Sequence, residues 1–209
     1  MKLIIKTIEP GGLSGNCYLI ETQKGFILIV TGEKTNYEQL EKELNLRGCI
    51  SFNLNLIIFT HNNSNNNNTY SLMREKYKSK IALHILDKEL INEPEPFNFW
   101  NSILKSFKNT FFTNSKKTNF KPDLIIDEGS NLSEFGLNAR VLYLPGHSNS
   151  VGVLTENGEL FLDDLINEEG LLPGSQNHNV NYLKKLKNLF VDIVYPSHGD
   201  PILLQSLNL

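Results

Sequence analysis

Short apolar runs separated by turn residues recur along the chain, and their length is typical of strands rather than helices. The predicted strands, some with the turn that follows them, lie at residues 2–8, 16–22, 26–30, 54–60, 80–85, 122–129, 139–150 and 191–201. The pair Asn157-Gly158 separates two further apolar runs and predicts a hairpin over residues 150–166. The pattern therefore predicts a protein that is rich in β-structure along most of its length.

Three other stretches have the period of an amphipathic helix and are predicted at residues 36–46, 69–77 and 179–189. In the first of them, Leu40 and Leu44 are four positions apart and acidic residues fill the other faces. The strands and helices together form two β-rich halves, each with its own helices. This order predicts an α/β (α+β) protein in which two sheets pack face to face and helices cover them outside.

Residues 92–122 have a different composition from the rest of the chain. The stretch begins with two prolines and carries Phe97, Phe99, Trp100, Phe107, Phe111 and Phe112. The helical spacing of several of these positions predicts a helical insert with an aromatic stripe. The stripe is interpreted first as packing against the rest of the domain, and alternatively as an apolar wall over a pocket.

Composition and charge narrow the class of protein. The chain has 209 residues, of which 40% are hydrophobic, and a formal net charge of -3, so we expect one globular domain that binds neither nucleic acid nor an anionic membrane. Cys17 and Cys49 are the only cysteines and predict neither a disulfide framework nor a cysteine metal site. The first residues lack the pattern of a signal peptide, and no stretch reaches the roughly 20 apolar residues of a membrane span. A cytoplasmic location is expected.

Three of the five histidines come directly after a predicted buried strand: His61, His147 and His198. Asp164 has the same context, since it ends the apolar run of a hairpin strand. A β-scaffold can bring such strand ends to one edge, and imidazole and carboxylate groups are the ligands that zinc prefers. The sequence therefore predicts that these four side chains converge.

The two remaining histidines are interpreted without a functional role. His84 lies inside an apolar strand and His178 lies in a polar stretch. A satisfied core residue or an exposed loop residue is the simpler explanation for each of them.

Five blocks of the sequence resemble, in their order, those of the metallo-β-lactamase-fold superfamily, which includes glyoxalase II-like hydrolases. The blocks are GNCYLIET with GFILIVTG, LIIFTH, VLYLPGHS, ELFLDDLI and VYPSHGDP. They resemble the early hairpin that ends in I-D-T-G, the strand before H-x-H-x-D-H, P-G-H-T, L-F-x-G-D-x-I and V-x-P-G-H-G. The resemblance implies a single four-layer αββα domain over residues 1–209.

The same resemblance shows where the chain departs from the family. The motif that begins at His61 would have histidine, aspartate and histidine at positions 63, 65 and 66, but the chain has Asn63, Asn65 and Asn66. Val30 stands at the aspartate of I-D-T-G. The other departures are Asp163 at the glycine before Asp164, Ser197 at the glycine before His198, and a P-G-H block that is one residue shorter.

The departures change the function that the resemblance implies. Family members bind two metals that activate a bridging water, and the retained ligands would be His61, His147, Asp164 and His198. An amide oxygen is a poor zinc ligand, so we expect no metal or at most one weakly bound divalent ion, with zinc as the first choice. The sequence thus predicts a binding or interaction scaffold for an unknown small molecule or protein, with an oligomer also compatible. A weak single-metal hydrolase of an ester, thioester or phosphoester is the alternative.

Overall fold

The computed structural model describes residues 3–10, 15–32, 36–61, 67–85, 121–144, 150–163, 166–167, 170–171, 185–186 and 188–206. All the following statements concern those residues.

The first sheet contains six strands that follow one another in space in the order of the chain. They are β1 (Ile4–Ile8), β2 (Cys17–Thr22), β3 (Gly25–Val30), β4 (Leu54–Phe59), β5 (Lys80–His84) and β6 (Leu124–Ile126). The first three pair antiparallel, and the pairs from β3 to β6 are parallel. The tight turn between β2 and β3 requires Gly25, whose φ is 122° and where a Cβ would lie 2.3 Å from the carbonyl oxygen of Asn53.

The second sheet has the order β13-β12-β9-β8-β7. Its strands are β7 (Ala139–Tyr143), β8 (Val151–Thr155), β9 (Glu159–Phe161), β12 (Ile193–Tyr195) and β13 (Ile202–Leu203). The pair β9 and β12 is parallel, and the other neighbours in this sheet are antiparallel. A separate small hairpin joins β10 (Ile166–Asn167) to β11 (Gly170–Leu171).

Two helices of more than two turns lie in the described part of the chain. Helix α1 (Tyr37–Leu46) begins after Asn36, whose side chain accepts a hydrogen bond from the backbone N–H of Gln39 at 3.2 Å, and it buries Leu40 and Leu44. Helix α2 spans Asn67–Tyr77. Both helices lie between parallel strands of the first sheet, as crossovers of this kind require.

Three apolar clusters stack across the molecule. The central cluster joins the facing sides of the two sheets and includes Tyr18, Ile58, Val141 and Phe161. An outer cluster packs α1 and α2 on the first sheet, and another packs helical Leu186 on the second. The layers are therefore helix, sheet, sheet and helix, which confirms the predicted αββα sandwich.

Most predicted elements agree with the structure, including the hairpin at Asn157-Gly158 and the helices at 36–46 and 69–77. The final strand β13 was not predicted, because its apolar run is only a few residues long. The aromatic insert at 92–122 lies outside the described residues except for its last two positions. Of the predicted helix at 179–189, residues 185–186 are described as helical.

Candidate functional site

The candidate site lies at the edge where the carboxyl ends of β3 to β6 meet. In parallel sheets this edge collects the residues that follow each strand, and it is the usual place for ligands. His61 follows β4, His84 ends β5 and Asp127 follows β6. The carboxyl ends of β9 and β12 in the second sheet are brought to the same edge by the contacts described next.

His61 contacts the second sheet through its imidazole ring. Its Nδ1 lies 3.1 Å from Oδ2 of Asp163, and both side chains are almost completely buried. Asp163 follows β9, and the same Oδ2 accepts a hydrogen bond of 3.1 Å from Oγ of Ser150, which is also buried. The polar cluster of His61, Asp163 and Ser150 therefore links the two sheets.

The position of His61 is fixed by backbone hydrogen bonds that the preceding residue, Thr60, makes. The N–H of Thr60 donates to the carbonyl of Val30 at 3.1 Å, and the N–H of Val151 donates to the carbonyl of Thr60 at 2.7 Å. Thr60 also donates its hydroxyl to the carbonyl of Val30 at 3.3 Å. The chain just before His61 is thus tied to β3 on one side and to β8 of the other sheet on the other.

Val30 is buried at the carboxyl end of β3, opposite Cys17 of β2 and Phe59 of β4. It belongs to the apolar cluster beneath α1 and α2. An ionised carboxylate in such a place would cost several kcal/mol unless it were paired, so an apolar side chain suits this position.

The loop that carries His198 is tied to the first sheet by Asn16. Its backbone N–H donates to the carbonyl of Ser197 at 2.6 Å, and its Nδ2 donates to the carbonyls of Pro196 at 3.2 Å and Gly199 at 2.9 Å. The hydroxyl of Tyr18 also donates to the carbonyl of Pro196. Burial raises the pKa of the Tyr18 phenol, so the hydroxyl keeps its proton at neutral pH.

Close backbone packing beside this loop depends on two glycines. A Cβ on Gly32 would lie 2.4 Å from Cα of Gly15, and a Cβ on Gly15 would be 3.0 Å from the carbonyl oxygen of Ser197. Any larger residue at either position would separate β2, β3 and the final loop. His198 itself is exposed at the surface of this edge.

Two of the four predicted ligands, His61 and His198, are described, and each lies in a segment that is bonded to the other sheet at this edge. His147 and Asp164 lie outside the described residues, as do Asn63, Asn65 and Asn66, so convergence of the four side chains stays a prediction. Within the described part of the chain, no three His, Cys, Asp or Glu side chains form a group that could hold a metal ion.

Asp163 is the site residue that sequence reasoning missed. It was interpreted only as a replaced glycine beside Asp164, whereas the structure places its carboxylate against His61. The sequence did carry a signal: Asp163 is the first charged residue after the apolar residues 160–162, and a carboxylate that directly continues a buried strand needs a partner.

His84 lies farther along the same edge and is buried to 1% exposure. Its Nε2 is 3.3 Å from Oδ1 of Asp127, and its ring stacks on Tyr143 of the second sheet at a centroid distance of 4.8 Å. The backbone N–H of Glu128 and the His84 ring both lower the pKa of the Asp127 carboxyl. The interpretation of His84 as a core residue agrees with its burial.

The two-sheet sandwich with strand ends and buried polar groups at a shared edge has the metallo-β-lactamase fold, as three solved structures illustrate. Metallo-β-lactamase family protein TTHA1429 from Thermus thermophilus is 21% identical, with a TM-score of 0.65 over 96% of this chain and 74% of that chain. The B3 metallo-β-lactamase BLEG-1 is 19% identical, with a TM-score of 0.68 over 97% and 95%. TTHA1623, solved in a di-iron-bound form, is 25% identical, with a TM-score of 0.66 over 97% and 96%.

No family model matches the sequence, and no curated protein matches it. The similarity to the solved structures nevertheless confirms, as a likeness of fold, the resemblance detected in the five sequence blocks. This likeness extends over nearly the whole chain.

Proposed function

We propose that this protein is a metallo-β-lactamase-fold scaffold whose metal site is degenerate and which lacks efficient dinuclear hydrolysis. The observation that carries the proposal is the run of amides after His61, where Asn63, Asn65 and Asn66 replace three of the side chains that the family motif requires. Each replacement exchanges an imidazole or a carboxylate for a neutral amide.

The donor set that remains does not fit two metals. Amide groups neither balance the charge of a divalent ion nor accept a proton near neutral pH. With His61, His147, Asp164 and His198 as the retained ligands, two ions would share four side chains. Without any bound ion, the chain offers no evident group that could lower the high pKa of a water molecule and so activate it.

The environment of Val30, at the carboxyl end of β3, supports the same proposal. The position that is aspartate in the family motif is packed here against Cys17 and Phe59 in an apolar cluster. The chain therefore departs from the family motif at this position as well as in the loop after His61.

A weak single-metal hydrolase of an ester, thioester or phosphoester is the second candidate. It is favoured by the four retained side chains, because catalytic zinc commonly has three protein ligands. In that case the ion would be held by His61, His147 and Asp164, with His198 as a further ligand.

The scaffold proposal assigns the edge to an unknown small molecule or a protein partner. The net charge of -3 offers no attraction for nucleic acid, and an oligomer is compatible with the fold. No helix in the described part of the chain is long and apolar enough to cross a membrane.

Elemental analysis of the purified protein, combined with a panel of ester, thioester, phosphoester and β-lactam substrates, tests the proposal. We expect well below one zinc per chain and negligible turnover, because ligands that contact the ion directly are missing, and even their supporting partners are worth about 10–100-fold in affinity. Two tightly held metals, or activity lost on chelation and restored by zinc at roughly 1–1000 per second, would refute it.

The matched variant restores the loop with Asn63→His, Asn65→Asp and Asn66→His together. We expect its metal content to rise towards two per chain, because the complete motif is present again. A restored loop that binds no more metal than the natural chain would show that the amides are not the reason for the low metal content.

A further inference from the structure

Asp163 carries a charge at a position where a charge is costly. Its side chain is 1% exposed, and a buried carboxylate is tolerated only when it is paired and hydrogen-bonded. Here one oxygen, Oδ2, is approached from two sides, by Nδ1 of His61 and by Oγ of Ser150, each at 3.1 Å. The local structure is therefore built around this carboxylate.

The partners of Asp163 come from both sheets. His61 follows β4 of the first sheet, whereas Asp163 and Ser150 flank β9 and β8 of the second. The same place is reinforced by the hydrogen bond of 2.7 Å from the N–H of Val151 to the carbonyl of Thr60. A metal ion held by ligands from both sheets would join this edge in the same manner, since metal binding contributes directly to folding free energy.

Relative to the family motif that it resembles, the chain loses one carboxylate and gains another. The loop after His61 loses a carboxylate at Asn65, while the position of Asp163, a glycine in the motif that the chain resembles, gains one. The gained carboxylate contacts His61, the retained histidine at the start of the altered loop. One acidic group has thus disappeared from the position of a metal ligand, and another is placed where its carboxylate lies 3.1 Å from the imidazole of His61.

We propose that the contact between His61 and Asp163, supported by Ser150, replaces a metal as the cross-link between the two sheets. The edge then closes without a bound ion, and the scaffold keeps its shape. This inference rests on the proposed loss of the dinuclear centre, but it concerns stability and has its own test.

The test measures urea unfolding of the natural chain with a chelator and with excess zinc. We expect the same midpoint in both conditions, because no ion joins the sheets. A midpoint that falls in chelator and rises with zinc would overturn the inference. This arm needs no variant, so it remains decisive even if the substituted proteins fold poorly.

A double-mutant cycle in chelator then examines the pair itself, with Asp163→Asn, His61→Gln and the double variant. We expect each single substitution to raise the unfolding equilibrium constant about 10- to 100-fold, since each leaves a buried polar partner poorly satisfied. The double variant should lose far less than the product of the two effects. Ser150→Ala should give a smaller effect, about 2- to 10-fold.

Independent effects of His61→Gln and Asp163→Asn would overturn the inference while leaving the proposed function intact. Two bound metals with turnover would instead refute the proposed function, whatever the cycle shows. Asp163→Gly tests whether a metal can take the place of the carboxylate. We expect this variant to be less stable than the natural chain in chelator, and we expect added zinc not to restore its stability to that of the natural chain. Full recovery by zinc would show that the site still binds an ion well enough to join the sheets, against the inference.

Discussion

The substitution Asn16→Ala should loosen the attachment of the loop that carries His198 to the first sheet. The Nδ2 of Asn16 lies 3.0 Å from the hydroxyl oxygen of Tyr18, 3.2 Å from the carbonyl of Pro196 and 2.9 Å from the carbonyl of Gly199. Since Nδ2 has two hydrogens, at most two full hydrogen bonds are lost. Each contributes about 0.5–1.5 kcal/mol, so the free energy of unfolding should fall by about 1–3 kcal/mol.

The loss should be visible in both global stability and local opening. For a chain of this length, that change lowers the melting temperature by about 2–12 °C. The carbonyl of Pro196 keeps its hydrogen bond from Tyr18, so the loop is expected to loosen rather than to leave the sheet. Amide hydrogen exchange at residues 197–200 should therefore accelerate more than exchange in the central strands.

Two further variants separate the hydrogen bonds from the packing of the side chain. Asn16→Asp keeps the shape of the side chain but places a carboxylate oxygen next to the oxygens of Tyr18, Pro196 and Gly199. It should therefore destabilise the protein more than Asn16→Ala does. Asn138→Ala is the matched control, because its Nδ2 donates to Glu156 at 3.2 Å on the exposed surface, and we expect a change within about 0.5 kcal/mol. An Asn16→Asp protein as stable as the natural chain would refute the assignment of these bonds.

Other expected outcomes follow from burial and charge. Val30→Asp should lower the free energy of unfolding by about 3 kcal/mol or more in chemical denaturation, well beyond Val30→Ala, because the new carboxylate lies in an apolar cluster; equal losses would contradict this. Leu44→Ala in α1 should cost about 2–5 kcal/mol, whereas Leu46→Ala, which is 71% exposed, should stay within about 0.5 kcal/mol. The lowered pKa of Asp127 means that its contribution to stability is present above the ordinary pKa of about 4 and is lost as pH falls through the lowered value. Melting temperatures should therefore fall less steeply between pH 6 and pH 2 for Asp127→Asn than for the natural chain, and an identical pH dependence would show that neither the N–H of Glu128 nor the His84 ring stabilises the ionised carboxylate.

Local patterns in the sequence determined most of the secondary structure. The four-residue spacing of Leu40 and Leu44, with acidic residues on the other faces, was sufficient to predict α1, because the helix period acts over a few residues. The apolar runs likewise predicted the buried strands, and their order with the motif blocks predicted the αββα sandwich. The amides after His61 are also a property of the sequence alone, since their chemistry does not depend on the fold.

Contacts between distant positions were decided by the tertiary structure. Asn16 is 180 positions from Pro196, and Asp163 is about 100 positions from His61, so no local period relates either pair. The contact of Asp163 with His61 depends on the register of β9 against β8 and β12, because a shift of one residue turns a side chain to the opposite face. The pairing of β13 with β12 is equally non-local, because a run of a few apolar residues becomes a strand only beside a partner. The sequence alone therefore determined the elements and the altered donor set, whereas packing of the two sheets decided which side chains meet at their shared edge.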